Sequence, residues 1–189
     1  MIDILEKDLE DKLLEIVKRY KIEKYKTPNT DNYYDHITFS IYSLSDFIYL
    51  IGKLSLMVKN SPLDTILYRG MSNMEWELTP SLLRLPAYNY AFEHNLALDF
   101  LSEEPNLFEN SKSNFENLTK MQHFGIPTRL LDFTTNPLVA LFFACSENFT
   151  KTGRIVFTIN TLRYFNDALA ESISSLYTYD SISNLPIDK

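Results

Sequence analysis

Residues 121–145, MQHFGIPTRLLDFTTNPLVALFFAC, constrain this chain more than any other stretch. They hold the only glutamine, Gln122, and one of the four glycines, Gly125. A turn, an arginine, an aspartate, paired threonines and an apolar run follow within the same segment. Gly125 is a natural stop for a helix running up to His123. Ile126 precedes Pro127 and is driven to extended backbone, because the proline ring clashes with a helical predecessor. Residues 129–133 then read as a short strand. Thr134, Thr135 and Asn136 are three cap candidates in a row, and Pro137 suits a first helical position, where its missing N–H is not needed. Residues 137–149 are apolar nearly all round, which predicts a central, buried helix. A segment with this many conformational demands predicts the floor of a site.

The rest of the chain supplies the frame. Leu5, Leu9, Leu13, Ile16, Val17 and Tyr20 recur at helical spacing over residues 2–20, with acids early and Lys18 and Arg19 in the last turn. Residues 21–36 read as a loop or linker, and 38–42 as a short strand or the approach to a helix. Ser45 is the expected N-cap of that helix, whose inward face is Phe47, Leu50, Ile51, Leu54 and Met57. Residues 64–70 form a strand stopped by Gly70, and Trp76 and Leu78 suit a second short strand. One helical turn over 81–85, a helix over 87–100, a polar loop over 102–114 and a helix over 115–123 lead into the constrained segment. After it come a strand over 154–159, a helical stretch over 161–176 and a fraying tail. This order predicts an α+β fold with a small mixed or antiparallel sheet, several packed helices and an N-terminal helical extension. The expected division is 1–36, helix and linker, and 37–189, the main domain.

Charge and composition narrow the function. The net charge is −7, so non-specific nucleic-acid binding has no basic balance behind it. No apolar run approaches the ~20 residues that span a bilayer, and the acidic start is unlike a signal peptide. A cytoplasmic protein without membrane contact is expected. The single cysteine, Cys145, leaves no disulfide framework and reads as a small core residue. No His, Asp and Glu spacing makes a metal site, and there is no phosphate-binding glycine loop.

Several residues are candidates for chemistry. Arg69 ends a strand in Tyr68-Arg69-Gly70, where a fixed guanidinium beside a glycine suits a phosphate or carboxylate; its bland alternative is a structural ion pair. Arg129 and Asp132 would face opposite ways in a strand or pair in a tight turn. Asp132 is equally a helix cap, and Arg129 a buried ion-pair partner. Thr134 and Thr135 offer hydroxyls to a cap or a ligand, and His123 an acid, base or donor. Tyr68 or Trp76 would stack on a planar ring.

Two blocks in order resemble the FRG domain family, named for its Phe/Tyr-Arg-Gly motif. The first is Tyr68-Arg69-Gly70 with Trp76, Leu78, Pro80, Ser81, Leu82, Leu83 and Arg84. The second runs from Gln122 through Thr128, Arg129 and Asp132 to Thr134 and then from Asn136 to Ala144. The resemblance covers roughly residues 45–160, and makes 37–189 an FRG-like domain with a short or incomplete C-terminal part. A more distant likeness is to the ADP-ribosyltransferase fold. It implies NAD as substrate, transfer of ADP-ribose or cleavage of NAD, and no metal. Arg69, His123 and Asp132 would then be catalytic, and Tyr68, Arg69, Gly70, Trp76, Arg129, Thr134 and Thr135 would bind the cofactor. The later-strand glutamate of such enzymes has no clear counterpart: only Glu147 and Glu171 follow Phe143. The alternative is a non-catalytic module that binds a nucleotide or anionic small molecule in a larger complex, with the N-terminal helix as a protein-binding arm.

Overall fold

The computed structural model describes residues 22–25, 36–58, 64–86, 90–161 and 167–179. The expected helix over 2–20, with the partner surface assigned to it, lies outside these residues. The chain divides into two compact units, Met1–Ile66 with Thr158–Asn160, and Leu67–Phe157 with Thr161–Lys189. The fold is α+β: two two-stranded sheets among helices.

In the first unit, β1 (Ile22–Tyr25) pairs antiparallel with β2 (His36–Phe39), Ile22 opposite Phe39 and Tyr25 opposite His36. The expected linker over 21–36 therefore contains a strand; Ile22 and Tyr25 are β-formers that the nearby turn residues masked. Helix α1 (Leu44–Val58) buries Phe47, Leu50 and Leu54 of the expected face; Ile51 is half-buried, and the Met57 side chain lies outside what the structure describes. Its cap is Ser43, not Ser45. The Ser43 hydroxyl accepts from the Asp46 amide at 3.1 Å and donates to the Asp46 carboxylate at 2.8 Å.

Strand β3 (Asp64–Met71) pairs with β4 (Arg154–Thr161). The second unit adds a 3-10 turn at Leu82–Arg84, then α2 (Tyr90–Glu103), α3 (Pro105–Phe108), α4 (Asn114–His123), α5 (Pro137–Cys145) and α6 (Ala168–Ser174). Ala97, Leu118, Met121 and Tyr177 form its helical core, with Phe100, Leu101, Phe108, Ile126 and Leu130 packed against it. Tyr177 was expected to lie in a fraying tail. It is instead buried, and its hydroxyl donates to Asn114 and accepts from Asn117. The polar loop expected over 102–114 holds the end of α2 and all of α3, because Pro105 starts a helical turn that packs Phe108 on Phe100. Trp76 and Leu78 lie in exposed turns rather than a strand.

Helix α5 departs most from expectation. Only Ala140 and Ala144 are buried; Leu138, Val139, Phe142, Phe143 and Cys145 are exposed. The reason is the surface on which it lies. A Cβ on Gly70 would stand 1.8 Å from the Ala140 carbonyl oxygen, and one on Gly153 would stand 2.1 Å from that of Ala144. The helix backbone thus rests directly on two glycines, and only alanines fit the contact. Its large side chains are turned outward, and Cys145 with them.

Candidate functional site

The site begins with a backbone bridge. Tyr68 of β3 donates its amide to the Thr134 carbonyl at 2.7 Å and accepts from the Thr134 amide at 2.8 Å. No residue of the strand expected over 129–133 is in a sheet; the bridge falls one residue beyond it, at Thr134. Pro127 and the tight bonding around Thr128 hold that segment as an irregular loop. The bridge nevertheless brings the two halves of the predicted site together. Tyr68 is buried, so it packs rather than presenting a ring to solvent. Burial raises its phenol above the usual value.

Arg69 is the next residue. Its Nη1 donates to the Asp132 carbonyl oxygen at 2.6 Å, and its Nε is buried without an acceptor among the described residues. Burial lowers the guanidinium pKa from its ordinary value; the Asp132 charge opposes that shift, and the Arg84 guanidinium adds to it. Arg84 uses its Nε on the Thr79 carbonyl at 2.8 Å. Two arginines thus repel each other across a site in which one has an unused buried N–H. Leaving such a donor unmade costs about 1–3 kcal/mol. An anion would satisfy the bond and relieve the repulsion.

Asp132 does not cap α5. Its two carboxylate oxygens accept from Gln122 Nε2 at 2.7 and 2.8 Å. The cap is Asn136, whose side chain accepts from the Leu138 amide at 3.0 Å, with Pro137 next. Thr134 Oγ1 accepts from the Asn136 amide at 3.0 Å, which stiffens the approach to the helix. Thr135 is exposed beside it.

The remaining candidates lie apart from this cluster. Arg129 turns to α2, where it makes a two-point ion pair with the buried Glu93, Nε to Oε1 at 2.8 Å and Nη2 to Oε2. Gly70 serves the contact with α5 described above. His123 is exposed at the end of α4, its ring edge-on to Phe124. Trp76 is exposed, and its carbonyl accepts from Arg154. Glu171 accepts from the backbone and side-chain amides of Asn114, at 3.1 and 2.8 Å. Among the described residues no cluster of His, Cys, Asp or Glu could hold a metal, and no helix is long and apolar enough to cross a membrane. Sequence reasoning gave no role to Gln122, Thr128, Arg84 or Glu93. Gln122, Thr128 and Arg84 lie in the two motif blocks, and Gln122 is also the sole glutamine in the chain; Glu93 had no such signal.

Residues 64–153, which contain both halves of this cluster, match the family model for the FRG domain. The chain carries an FRG domain. Within its bounds lie β3, the turn with Arg84, α2 to α5 and Gly153. No curated protein and no solved structure matches the chain.

Proposed function

We propose that this FRG domain binds the phosphate of a nucleotide at Arg69, with NAD as the substrate and ADP-ribosyl transfer or NAD cleavage as the chemistry. The observation that carries the reading is the buried Arg69 Nε, which has no acceptor among the described residues while Nη1 is fixed on the Asp132 carbonyl. A guanidinium fixed at one nitrogen, with a second N–H left unpaired, has a hydrogen bond to give to an oxyanion. The adjacent Asp132 carboxylate is exposed and close enough to act on Arg69. In the reaction the bond from ribose C1′ to nicotinamide nitrogen breaks, and its electron pair leaves with nicotinamide. Water or an acceptor group forms the new bond to C1′ and releases its proton. A carboxylate near C1′ stabilises the positive charge that develops there, and we assign that part to Asp132, whose charge acts on Arg69.

The second reading is a non-catalytic nucleotide-binding module. It is favoured by the position of Glu171, which is spent on Asn114 rather than presented to a ligand. One experiment separates the two. The melting temperature of the whole chain is measured with NAD, ADP-ribose and ATP, and nicotinamide release is followed in the same samples. A ligand that binds only the native state at 100 times its Kd adds about 2.7 kcal/mol. The proposal expects a stabilising shift with NAD that Arg69→Ala removes, together with nicotinamide release. A shift without release supports the module. No shift with any nucleotide, or a shift that Arg69→Ala leaves intact, overturns both.

A further inference from the structure

The Asp132 carboxylate is held by a relay whose direction can be worked out atom by atom. Thr128 is buried, and its hydroxyl has one proton to give. The Leu130 amide donates to Thr128 Oγ1 at 3.3 Å, so that oxygen is already an acceptor. Its own proton goes to Gln122 Oε1 at 2.7 Å. Carboxylate oxygens accept, so the Gln122 end that reaches both Asp132 oxygens is the NH2 group, and its carbonyl oxygen is the end left to accept from Thr128. Asp132 receives and does not give. Its carboxylate is kept as an acceptor, with lone pairs left over on an exposed side.

The same threonine also ties down the first block of the domain. The Thr128 amide donates to Ser81 Oγ at 3.3 Å, and the Leu82 amide donates to the Thr128 carbonyl at 3.2 Å. Leu82 opens the 3-10 turn that ends at Arg84. One buried residue thus aligns the carboxylate through its side chain and the second arginine through its backbone.

We infer that Gln122 and Thr128 are positioning residues that lock Asp132 as a hydrogen-bond acceptor beside Arg69, so that the site selects a ligand with a hydroxyl next to its anionic group, a sugar phosphate, over a bare anion. The inference rests on the anion-binding reading of Arg69 and adds what the ligand must carry beside its charge. A bare phosphate satisfies the Arg69 N–H but meets the repulsion of the Asp132 carboxylate. A sugar phosphate satisfies the arginine and donates a hydroxyl to the carboxylate. A hydrogen bond to a charged partner is worth about 1.5–3 kcal/mol, enough for a preference of tenfold or more.

The test compares ribose 5-phosphate with methyl phosphate, two monoesters of like charge that differ in hydroxyls, by titration against the whole chain. The wild-type chain is expected to bind the sugar phosphate at least tenfold more tightly. Arg69→Ala weakens both ligands. Thr128→Val frees the amide and shrinks the ratio towards one, and Thr128→Ser, which keeps the hydroxyl, restores it. Gln122→Glu sets a carboxylate against Asp132, so the preference is lost at pH 8. It returns as the pH is lowered until the facing carboxylates share a proton. A merely structural role for Gln122 would not produce that pH-dependent recovery. If the wild-type chain binds both monoesters equally, or Gln122→Glu keeps its preference at pH 8, the inference is overturned while the Arg69 reading stands. If neither monoester binds, both fail.

Discussion

At the residue scale, the two arginines of the constrained region have opposite fates, and their partners explain why. Arg129 meets a buried carboxylate in two-point geometry and is neutralised. Arg69 meets a carbonyl oxygen and keeps one buried N–H unused. Glu93 is 4% exposed, so removing its charge strands a guanidinium in a dry setting. Breaking a buried pair from one side costs about 3–5 kcal/mol. Glu93→Ala is therefore expected to lower the unfolding free energy from urea melts by that order, and Glu93→Ala with Arg129→Met to recover a large part of it. A loss of under 1 kcal/mol in Glu93→Ala would show that the pair does not hold α2 to the loop. The sequence offered Arg129 as a buried ion-pair partner, but not the residue it pairs with. Glu93 lies 36 residues before Arg129, and nothing in its own helix distinguishes it from a solvent-facing acid.

At the scale of elements, most helices and both long strands were legible, because hydrophobic spacing and stops act locally. Helix α4 runs up to His123, and Gly125 beyond it has the positive φ of 84° that glycine tolerates. Ser113 caps it by accepting from the Glu116 amide at 3.1 Å. What was not legible was how α5 packs. A run of apolar residues predicts burial, but the contact is decided by Gly70 and Gly153, which are remote in sequence from Ala140. The glycines of the chain should then respond oppositely to the same change. Gly70→Ala drives a methyl group into the α5 backbone, and the cost is at or above the usual overpacking range of about 1–3 kcal/mol. Gly52 sits within α1, is exposed and has nothing within 4 Å of its added Cβ. Gly52→Ala is expected to stabilise by about 0.5–1 kcal/mol. Paired denaturant melts measure both; a harmless Gly70→Ala would contradict the close approach of β3 and α5.

At the scale of the whole molecule, the α+β class and the pairing of β3 with Thr134 bring residues 63 or more apart into one site, as the Arg69 to Asp132 bond illustrates. The two motif blocks were readable separately; the bridge that joins them was not, because it is a single residue pair rather than a patterned strand. Burial also sets how the fold meets alkali. Tyr68 and Tyr177 both have phenols raised by burial; for Tyr177 the Asn117 hydrogen bond opposes this and the Glu171 charge adds to it. The folded chain then holds protons that the unfolded chain releases above about pH 10. Stability is unaffected below that pH and falls as the pH rises through the raised values. Urea midpoints at pH 9 and pH 11 are expected to differ more in the wild-type chain than in Tyr68→Phe with Tyr177→Phe. Equal differences would contradict the burial of these phenols.

The buried Arg69 N–H, unpaired among the described residues, is read as a ligand site. That reading is tested most directly by the nitrogen–hydrogen correlation of the arginine Nε groups, with the Arg69 signal assigned by its loss in Arg69→Lys. The account predicts that NAD or ribose 5-phosphate moves the Arg69 Nε signal progressively to saturation, while that of Arg129, closed by Glu93, stays in place. An Arg69 signal that does not move at saturating ligand, or one that moves no more than that of Arg129, would contradict it.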